Sequence, residues 1–370
     1  MKHLVMLGAG HAHVHLLSTL AAQPMAGVQV TLVAPFPRQM YSGMVPGFVA
    51  GHYALEDCVI PLAPLLEKSA VTWLARSAVG MDASVRTLTL DDGSTLTYDV
   101  LSVNSGPVQD RQKIEQMMPG ARANALFVRP IEAFGALWPQ VIELSQGRAL
   151  RVAVVGGGAA GIELACAAAY RLQGSSVTLL CGDTVPGANY TPAVQTRIAH
   201  VLRQRGITVI QERAQAIAPG EVSLGNGARL ACDVPLIALG AQAPAWLQDS
   251  GLTLDDAGFI AVDAFQRSTS HTQVFAAGDV STRVDRQLAR SGVYAVRAGP
   301  PLAKNLRAVL AGIDPTPYTP QDKTLNLLAC GDKSAIASWG TWSAQGAWVW
   351  WLKNRIDRGF IKKYSQPASR

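Results

Sequence analysis

Two glycine-rich turns are the feature of this sequence that points most directly to chemistry. One begins at Gly8 and the other at Gly156, so their first glycines lie 148 positions apart. Between a strand and a helix, the first glycine permits a tight bend, the second lets a pyrophosphate approach the backbone, and the third brings the helix against the strand. Amides at the helix N-terminus then hold the phosphates. The residues expected to bind a dinucleotide are Gly8, Ala9, Gly10, His11 and Ala12 in the first turn, and Gly156, Gly158, Ala159, Ala160 and Gly161 in the second.

The residues around each turn predict a βαβ unit. Apolar runs of strand length precede and follow a helical pattern in both copies. The predicted strand, helix and strand are 3–7, 14–22 and 28–33 in the first copy, and 151–155, 162–172 and 176–180 in the second. One glycine triad alone is a weak signal, whereas two in the same context are specific. We therefore expect an α/β chain with two Rossmann-like domains.

Both units depart from the usual pattern at the end of the second strand. A carboxylate there normally accepts hydrogen bonds from the ribose hydroxyls, but Ala34 and Cys181 occupy these positions. We expect backbone, water or a neighbour such as Arg38 to hold the first ribose. At the second site the missing acid removes the usual reason to prefer NADH over NADPH, and Asp183 lies two residues later. His13 replaces the third glycine, so the first helix is expected to lie slightly farther from its strand.

A third signal is an apolar segment, 272–277, that ends in Gly278-Asp279 and precedes a helical pattern over 292–310. Taken alone, Asp279 is an ordinary turn or helix-capping residue. Two further predicted strands, one after each βαβ unit, end in small-residue turns at Gly106 and Gly240.

With these motifs in this order, the chain resembles the two-dinucleotide-binding-domain flavoproteins of the pyridine nucleotide-disulfide oxidoreductase superfamily. The resemblance implies FAD and NAD(P)H as cofactors. It implies an FAD-binding domain over 1–115 and 256–320, an inserted NAD(P)H-binding domain over 120–255, and a C-terminal region over 321–370.

The resemblance also implies roles for single residues. Asp279 would bind the ribitol chain of FAD, and Ser42, Gly43 and Met44 would contact the isoalloxazine. Glu163 would lie at the junction of nicotinamide and flavin as the candidate catalytic residue. From the residues alone, the segment around Ser42 is a buried turn, and Glu163 is a first-turn carboxylate stabilised by the helix dipole.

Within that superfamily, the chain is similar to type II NADH dehydrogenases and to the FAD-dependent oxidoreductase domain fused to selenide, water dikinase. The implied function is transfer of electrons from NAD(P)H through FAD to a quinone or other small acceptor. The glutamine-rich quinone segment of the dehydrogenases would fall on 292–299, which contains no glutamine; Tyr294 and Arg297 are its polar residues. Two alternatives stay open: a sulfide- or selenium-linked oxidoreductase, and a nucleotide-sensing flavoprotein with little turnover.

The five cysteines form no CxxC pair, which argues against a disulfide reductase and favours a reducing, cytoplasmic compartment. Cys330 could approach a flavin only with a partner thiol, so we interpret it as a core residue. His11, His13 and His15 alternate, but two of them at most share a helix face, and we expect no metal site.

The distribution of charge excludes nucleic acid as a partner. The net charge is +6, of which the residues from 347 onward contribute +5, so the rest of the chain has no basic stripe for phosphates. The same tail holds three of the eight tryptophans, and two more lie at 339 and 342. It predicts an amphipathic helix that either lies on the inner face of the cytoplasmic membrane, packs on the protein, or forms a dimer contact. No run of 18 apolar residues is present, so no spanning helix is expected.

Overall fold

The computed structural model describes residues 1–365. The first part of the chain is built around the first glycine turn. Its elements are β1 (Lys2–Leu7), α1 (His11–Ala22), β2 (Val28–Val33), β3 (Arg38–Met40), α2 (Val45–Val49), β4 (Val59–Pro61), α3 (Ala63–Ser69), β5 (Thr72–Leu74), β6 (Ala78–Asp82), β7 (Thr87–Leu90), β8 (Thr95–Thr97), β9 (Val100–Val103), α4 (Arg111–Met117) and α5 (Ala121–Asn124).

The remaining elements belong to the second glycine turn and to the segment after it. Those around the second turn are β10 (Leu126–Phe127), α6 (Ile131–Gly147), β11 (Arg151–Val155), α7 (Ala159–Arg171), β12 (Ser176–Leu180), α8 (Pro192–Gln204), β13 (Thr208–Ile210), β14 (Ala214–Ala218), β15 (Glu221–Leu224), β16 (Arg229–Ala231) and β17 (Val234–Ile237). The chain ends with β18 (Ile260–Val262), β19 (Val274–Ala276), β20 (Ser281–Arg283), α9 (Gly292–Arg297), α10 (Gly299–Leu310), β21 (Asn326–Ala329), β22 (Ala335–Trp339), β23 (Trp342–Gly346) and α11 (Ala347–Ser365).

Two five-stranded parallel sheets organise these elements. The first has the strand order β19-β9-β1-β2-β5, and the second has the order β10-β17-β11-β12-β13. The central strands are almost continuous apolar runs, as expected for a parallel sheet that is buried on both faces; in the first sheet, helices such as α1 cover one face, and β6 and β7 cover the other. Because β19 returns to the first sheet after the whole second sheet has been formed, the second sheet is inserted in the first. The predicted fold class is therefore confirmed.

The predicted strands 28–33, 151–155 and 176–180 have the same bounds in the structure, whereas the helices differ. Helices α1 and α7 begin three residues earlier than expected, because the chain becomes helical directly after Gly10 and Gly158. The single helix expected over 292–310 is two helices, separated at Ala298. Prolines at the start of α10, which lack the N–H that would continue the hydrogen bonds of α9, explain this break.

The structure contains a second internal repeat that the sequence motifs did not predict. Each parallel sheet is interrupted in the chain by a three-stranded antiparallel sheet, formed by β6, β7 and β8 before β9 in one copy and by β14, β15 and β16 before β17 in the other. The hairpin turns contain Gly93 and Gly227, both at positive φ. Short strands with an Asp-Gly or Asn-Gly turn were the signal that could have identified this repeat.

One core cluster joins the segment 40–58 of the first part to the second sheet. The largest fully buried side chains of α6, Phe134 and Trp138, pack in the same cluster as Met44 of the first part and Leu164 of α7. The Trp138 indole also donates a 3.3 Å hydrogen bond to the carbonyl of Val49. Helix α6 therefore fixes the segment 40–50 against the second glycine turn. Within residues 1–365, no helix has the length and apolar character needed to cross a bilayer.

Candidate functional site

A cavity of about 780 Å³ lies at the carboxyl ends of the strands of the first sheet. This is where ligands bind in open parallel sheets, because neighbouring connections leave the sheet on opposite faces and leave a crevice between them. Most of the predicted residues of the first site line the cavity. They are Gly8, Ala9, Gly10, His11, Ala34, Arg38, Ser42, Gly106, Gly278 and Asp279.

Three predicted contacts lie elsewhere. Ala12 and Met44 are fully buried in the protein core, and neither lines the cavity. Gly43 borders a separate, much smaller cleft against α11. Ser42 therefore lines the cavity, whereas Gly43 and Met44 do not. The three residues form a short 3₁₀ turn in which the Met44 side chain is buried in the core.

The glycines of the first turn are required by the protein backbone itself. Gly8 has φ +86°, and a Cβ there would lie 2.4 Å from Ser105 Cα. A Cβ on Gly10 would lie 2.4 Å from the carbonyl oxygen of Asn104. The sequence predicts that this second glycine makes room for pyrophosphate, and in the structure it also makes room for Asn104. The bare turn still fits a dinucleotide, because its backbone lines the cavity and α1 begins there.

Asn104 is a functional-site residue that the sequence reading did not single out. Its Oδ1 accepts hydrogen bonds from the amides of Ala12 at 3.0 Å and His13 at 3.2 Å, and its Nδ2 donates to the carbonyl of Ala277 at 2.6 Å. The side chain thus caps α1 and ties it to the end of β19, directly before Gly278. The amide of Ala12, expected to face a phosphate, is engaged by Asn104. The signal was present as a polar residue immediately after the buried run of β9.

His13 shows what replaces the missing third glycine. Its Nδ1 lies 2.5 Å from the carbonyl oxygen of Gly8, and its Nε2 lies 2.7 Å from Ser102 Oγ. Burial lowers the pKa of His13 to about 4, so the ring is neutral; Nδ1 donates to Gly8, and Nε2 accepts from the hydroxyl. In the second turn, a Cβ on Gly161 would lie 1.8 Å from the corresponding carbonyl of Gly156. In the first turn, the hydrogen bond between His13 and Gly8 therefore takes the place of the close helix–strand contact that Gly161 allows in the second turn.

The second glycine turn has the form of an open phosphate cradle. Gly156 has φ +132°, and a Cβ there would meet the carbonyl of Ala238 at 2.4 Å. Gly158 and Ala160 are exposed, and no other group lies within 4 Å of a Cβ position on Gly158. Helix α7 begins at Ala159, so its first amides face this open space. Gly240 follows β17 on the neighbouring strand and is likewise open.

Asp279 lines the first cavity. Burial raises the pKa of its carboxyl group, and the nearby Arg129 and Arg290 oppose that rise. Gly278 has φ +75°, and a Cβ there would lie 2.9 Å from Asn104 Nδ2. Arg129, which lines the same cavity, is a second residue that the sequence reading missed. Its position two residues after β10 and directly before Pro130 was the available signal.

Glu163 lies in the second turn of α7 and not in the first turn that the sequence predicts, because the helix begins at Ala159; its side chain faces the C-terminal region. Its Oε1 accepts a 2.8 Å hydrogen bond from the amide of Ala329, and it does not line the large cavity. Burial raises the pKa of Glu163 to about 7, although Lys353 opposes the rise. A carboxyl group that titrates near neutrality is suited to exchange a proton.

The C-terminal helix α11 packs against the residues that border the first site. The ammonium of Lys353 donates to the carbonyl of Gly43 at 2.6 Å and to Asp357 Oδ2 at 2.7 Å. Tyr41 and Asp357 both lie next to Gly43, and the Tyr41 ring stacks on Phe360 with centroids 4.5 Å apart. Of the interpretations open for the tail, packing on the protein therefore holds for this face of the helix.

The other face of this region is exposed and aromatic. Trp339, Trp342, Trp348 and Trp351 are between 48% and 58% exposed, which is unusual for so large an apolar side chain. We call these four residues the tryptophan face. Of the basic residues counted for the tail, Arg370 lies outside the described part of the chain.

The cysteines and histidines are not arranged as a metal or disulfide centre. All five cysteines are unpaired and buried, and burial raises the pKa of Cys330 to about 12. Cys166 nevertheless lies next to the Cys330 loop, because a Cβ on Gly331 would be 2.1 Å from the Cys166 carbonyl. Among the described residues, no group of three or more potential ligands is placed to hold a metal ion.

Comparison with known proteins places these features in a family. A family model described as pyridine nucleotide-disulphide oxidoreductase matches residues 2–303. An NADH dehydrogenase-like protein of Mycobacterium tuberculosis is 28% identical over 241 residues, which cover 61% of this chain and 59% of that protein. The chain thus spans about three fifths of that relative's length. The oxidoreductase ptaL of Pestalotiopsis fici is 26% identical over 371 residues, 94% of each chain.

Solved structures share the fold over the whole chain. The sulfide:quinone oxidoreductase of Aquifex aeolicus superposes with a TM-score of 0.80 and 18% identity, covering 99% of this chain and 92% of that one. The NDH2 protein of Plasmodium falciparum, solved with NADH, has a TM-score of 0.79 and 12% identity, and each chain is covered completely. At these identities the likeness establishes the fold.

Proposed function

Because this chain belongs to the pyridine nucleotide-disulphide oxidoreductase family, we propose that it oxidises NAD(P)H and passes the electrons through FAD to a small acceptor, for which we favour a quinone. Members of the family are oxidoreductases that bind FAD and NAD(P)H, which agrees with the cofactors expected from the motifs. The observation that carries the proposal is the pair of glycine turns, each at the carboxyl edge of its own parallel sheet, in a chain whose first turn opens into a cavity that Asp279 also lines.

We assign FAD to the first cradle and its cavity. The cavity of about 780 Å³ is large enough for an extended dinucleotide, and drug-sized ligands occupy roughly 300–1,000 Å³. The backbone from Gly8 to His11 would hold the pyrophosphate, and Asp279 would accept hydrogen bonds from ribitol hydroxyls. Bound FAD supplies two-electron chemistry that no side chain of the protein can supply. The chain's part is to bind and orient it, with Ser42 at the ring end of the cavity.

We assign NAD(P)H to the second cradle. The exposed N-terminus of α7, with Gly158 and Ala160 at the surface, would hold its pyrophosphate. The corresponding domains are 1–115 with 256–320 for FAD, 120–255 for NAD(P)H, and 321–370 for the C-terminal region. Glu163 would hold or release a proton at Oε2, since Oε1 is occupied by the amide of Ala329.

For the acceptor side, we propose that the tryptophan face lies on the inner surface of the cytoplasmic membrane. Half-exposed indoles beside the exposed Arg355 and Arg358 are the composition of an interfacial surface, with apolar rings for the headgroup region and cations for anionic lipid. A quinone dissolved in that membrane would then be near the first site. The alternative is that the tryptophan face forms the contact of a homodimer. The cytoplasmic side of the membrane is supported by the five unpaired cysteines, which are typical of a reducing compartment.

Anaerobic absorption spectroscopy tests the central proposal. Purified protein should show a visible flavin band, NADH or NADPH should bleach it, and a quinone should restore it. Ferredoxin should be included as an acceptor, because a ferredoxin–NAD⁺ reductase component of Pseudomonas putida is 27% identical over 292 residues. Protein that stays colourless after reconstitution with FAD, or a flavin that neither nucleotide bleaches, would refute the proposal.

A second candidate function is sulfide oxidation. It is favoured by the contact between the Cys166 segment and the loop of Cys330, which brings two cysteines into one buried cluster. Against it, the raised pKa of Cys330 keeps that thiol protonated and unreactive. Bleaching of the flavin by sulfide but not by a nicotinamide nucleotide would favour this candidate.

A further inference from the structure

The loop that follows β12, residues 181–184, carries the ribose-binding position of the second cradle. Cys181 is only 7% exposed, and its Sγ donates inward to the carbonyl of Ile210 at 3.4 Å. A Cβ on Gly157 would lie 2.5 Å from Cys181 Cβ, so this strand end lies directly against the glycine turn. Position 181 therefore offers no acceptor for a ribose hydroxyl and no negative charge that would repel a phosphate.

The charged groups on this loop are Asp183 and its partner Arg213. Arg213 Nε donates to Asp183 Oδ2 at 2.7 Å, and the two side chains are 74% and 62% exposed. The Arg213 stem passes over Gly182, with Cγ 3.8 Å from a Cβ position there. The neighbouring carboxylate, Glu212, is directed toward Gly225 instead. An exposed ion pair contributes little to stability, so the guanidinium can exchange Asp183 for a stronger anion.

We infer that the second cradle prefers NADPH to NADH and that Arg213 binds the 2′-phosphate. The inference rests on the proposed function, because it names the nucleotide used by the same site. A phosphate carries up to two negative charges and accepts paired N–H groups from a planar guanidinium, which a 2′-hydroxyl cannot match. For NADH, the only carboxylate on the loop is Asp183, and Arg213 already occupies it. The Arg213–Asp183 pair thus distinguishes a 2′-phosphate from a 2′-hydroxyl.

Equilibrium binding of NADP⁺ and NAD⁺ to the FAD-loaded protein tests this inference by calorimetry at low ionic strength. We expect NADP⁺ to bind about tenfold more tightly or better. Arg213→Gln should weaken NADP⁺ binding by about the same factor and leave NAD⁺ within about threefold. Arg229→Gln is the matched control, because Arg229 is 73% exposed, is also ion-paired, and lies on β16 of the antiparallel sheet that begins directly after Arg213. It should change neither affinity.

A second variant examines the strand end directly. Asp183→Asn should release the guanidinium and strengthen NADP⁺ binding, whereas loss of NADP⁺ affinity would oppose the assignment. Equal binding of the two nucleotides, unaffected by Arg213→Gln, would overturn the inference and leave the proposed function intact as long as either nucleotide bleaches the flavin. If neither nucleotide binds or bleaches, both fail together.

Discussion

The ammonium of Lys353, on the last helix, donates a 2.6 Å hydrogen bond to the carbonyl of Gly43, which is 310 residues earlier in the chain. The same ammonium pairs with Asp357 one helical turn away, and both side chains are at most 10% exposed. The C-terminal helix is thereby attached to the segment that contributes Ser42 to the lining of the first cavity. The tail is part of the architecture of the site and cannot be treated as an appendage.

Lys353→Met should therefore destabilise the protein strongly. The substitution keeps the apolar stem but leaves Asp357 as an unpaired buried carboxylate, and breaking a buried pair in this way costs about 3–5 kcal/mol. Thermal unfolding of the FAD-loaded protein measures the effect. Lys362→Met, on an exposed position of the same helix, is the control, and equal melting temperatures for the two variants would contradict the role of the pair.

Asn104→Ala should lower both stability and FAD content. Three hydrogen bonds are lost, and the carbonyl of Ala277 and two amides of α1 lose their partner; one unsatisfied buried group costs about 1–3 kcal/mol. Asn104→Asp keeps the acceptor for α1 and loses only the donor to Ala277, so its flavin content should be intermediate. The ratio of visible to ultraviolet absorbance of the purified proteins measures this order. Full flavin content in the alanine variant would count against the cap.

Glu163 predicts a specific pH dependence. Its pKa is raised by burial to about 7 from an ordinary value of 4.5. Between pH 4.5 and about 7, Glu163 has lost its proton in the unfolded state but still holds it in the folded state. Its contribution to the free energy of unfolding therefore falls as the pH rises through this range and is constant above it. The free energy of unfolding that is lost over this pH range is on the order of 3 kcal/mol. Glu163→Gln should flatten the slope of unfolding free energy in that window, measured by denaturant titration.

The same variant separates a proton-transfer role from a structural one. If Glu163 exchanges a proton during turnover, the dependence of kcat on pH should contain an ionisation near 7 that Glu163→Gln removes. Glu143→Gln, on an exposed position of α6, should leave the profile unchanged. An unaltered profile in Glu163→Gln would restrict this residue to its hydrogen bond with Ala329.

Replacing Trp348 and Trp351 by serine should weaken binding to vesicles that contain anionic lipid, because both indoles are more than half exposed. FAD absorbance should not change, since neither side chain borders the first cavity. Removing the whole helix would be a poor test, because Lys353 and Phe360 contact Gly43 and Tyr41, which flank Ser42 of the first cavity. Val85→Ser, at an exposed apolar residue elsewhere, is the control. Loss of a dimer in sedimentation, with vesicle binding unchanged, would assign the tryptophan face to a second copy of the chain.

Local features of the sequence determined the two βαβ units. The glycine turns, the apolar strands 28–33, 151–155 and 176–180, and the Gly278-Asp279 end of β19 each depend on residues within a few positions of one another, so periodicity and turn chemistry reveal them. They were sufficient to predict the fold class and which segments form the two cradles.

Only the tertiary structure decided what surrounds those cradles. Asn104 reaches the carbonyl of Ala277 across 173 positions, and Glu163 meets the amide of Ala329 across 166. The packing of α11 beneath Gly43 and the pairing of Arg213 with Asp183 are of the same kind. Such contacts join residues that are distant in the chain, and either partner alone is compatible with many neighbours. The packing of the two sheets and their helices determines which of these partners meet. A local sequence pattern contains no information about that packing.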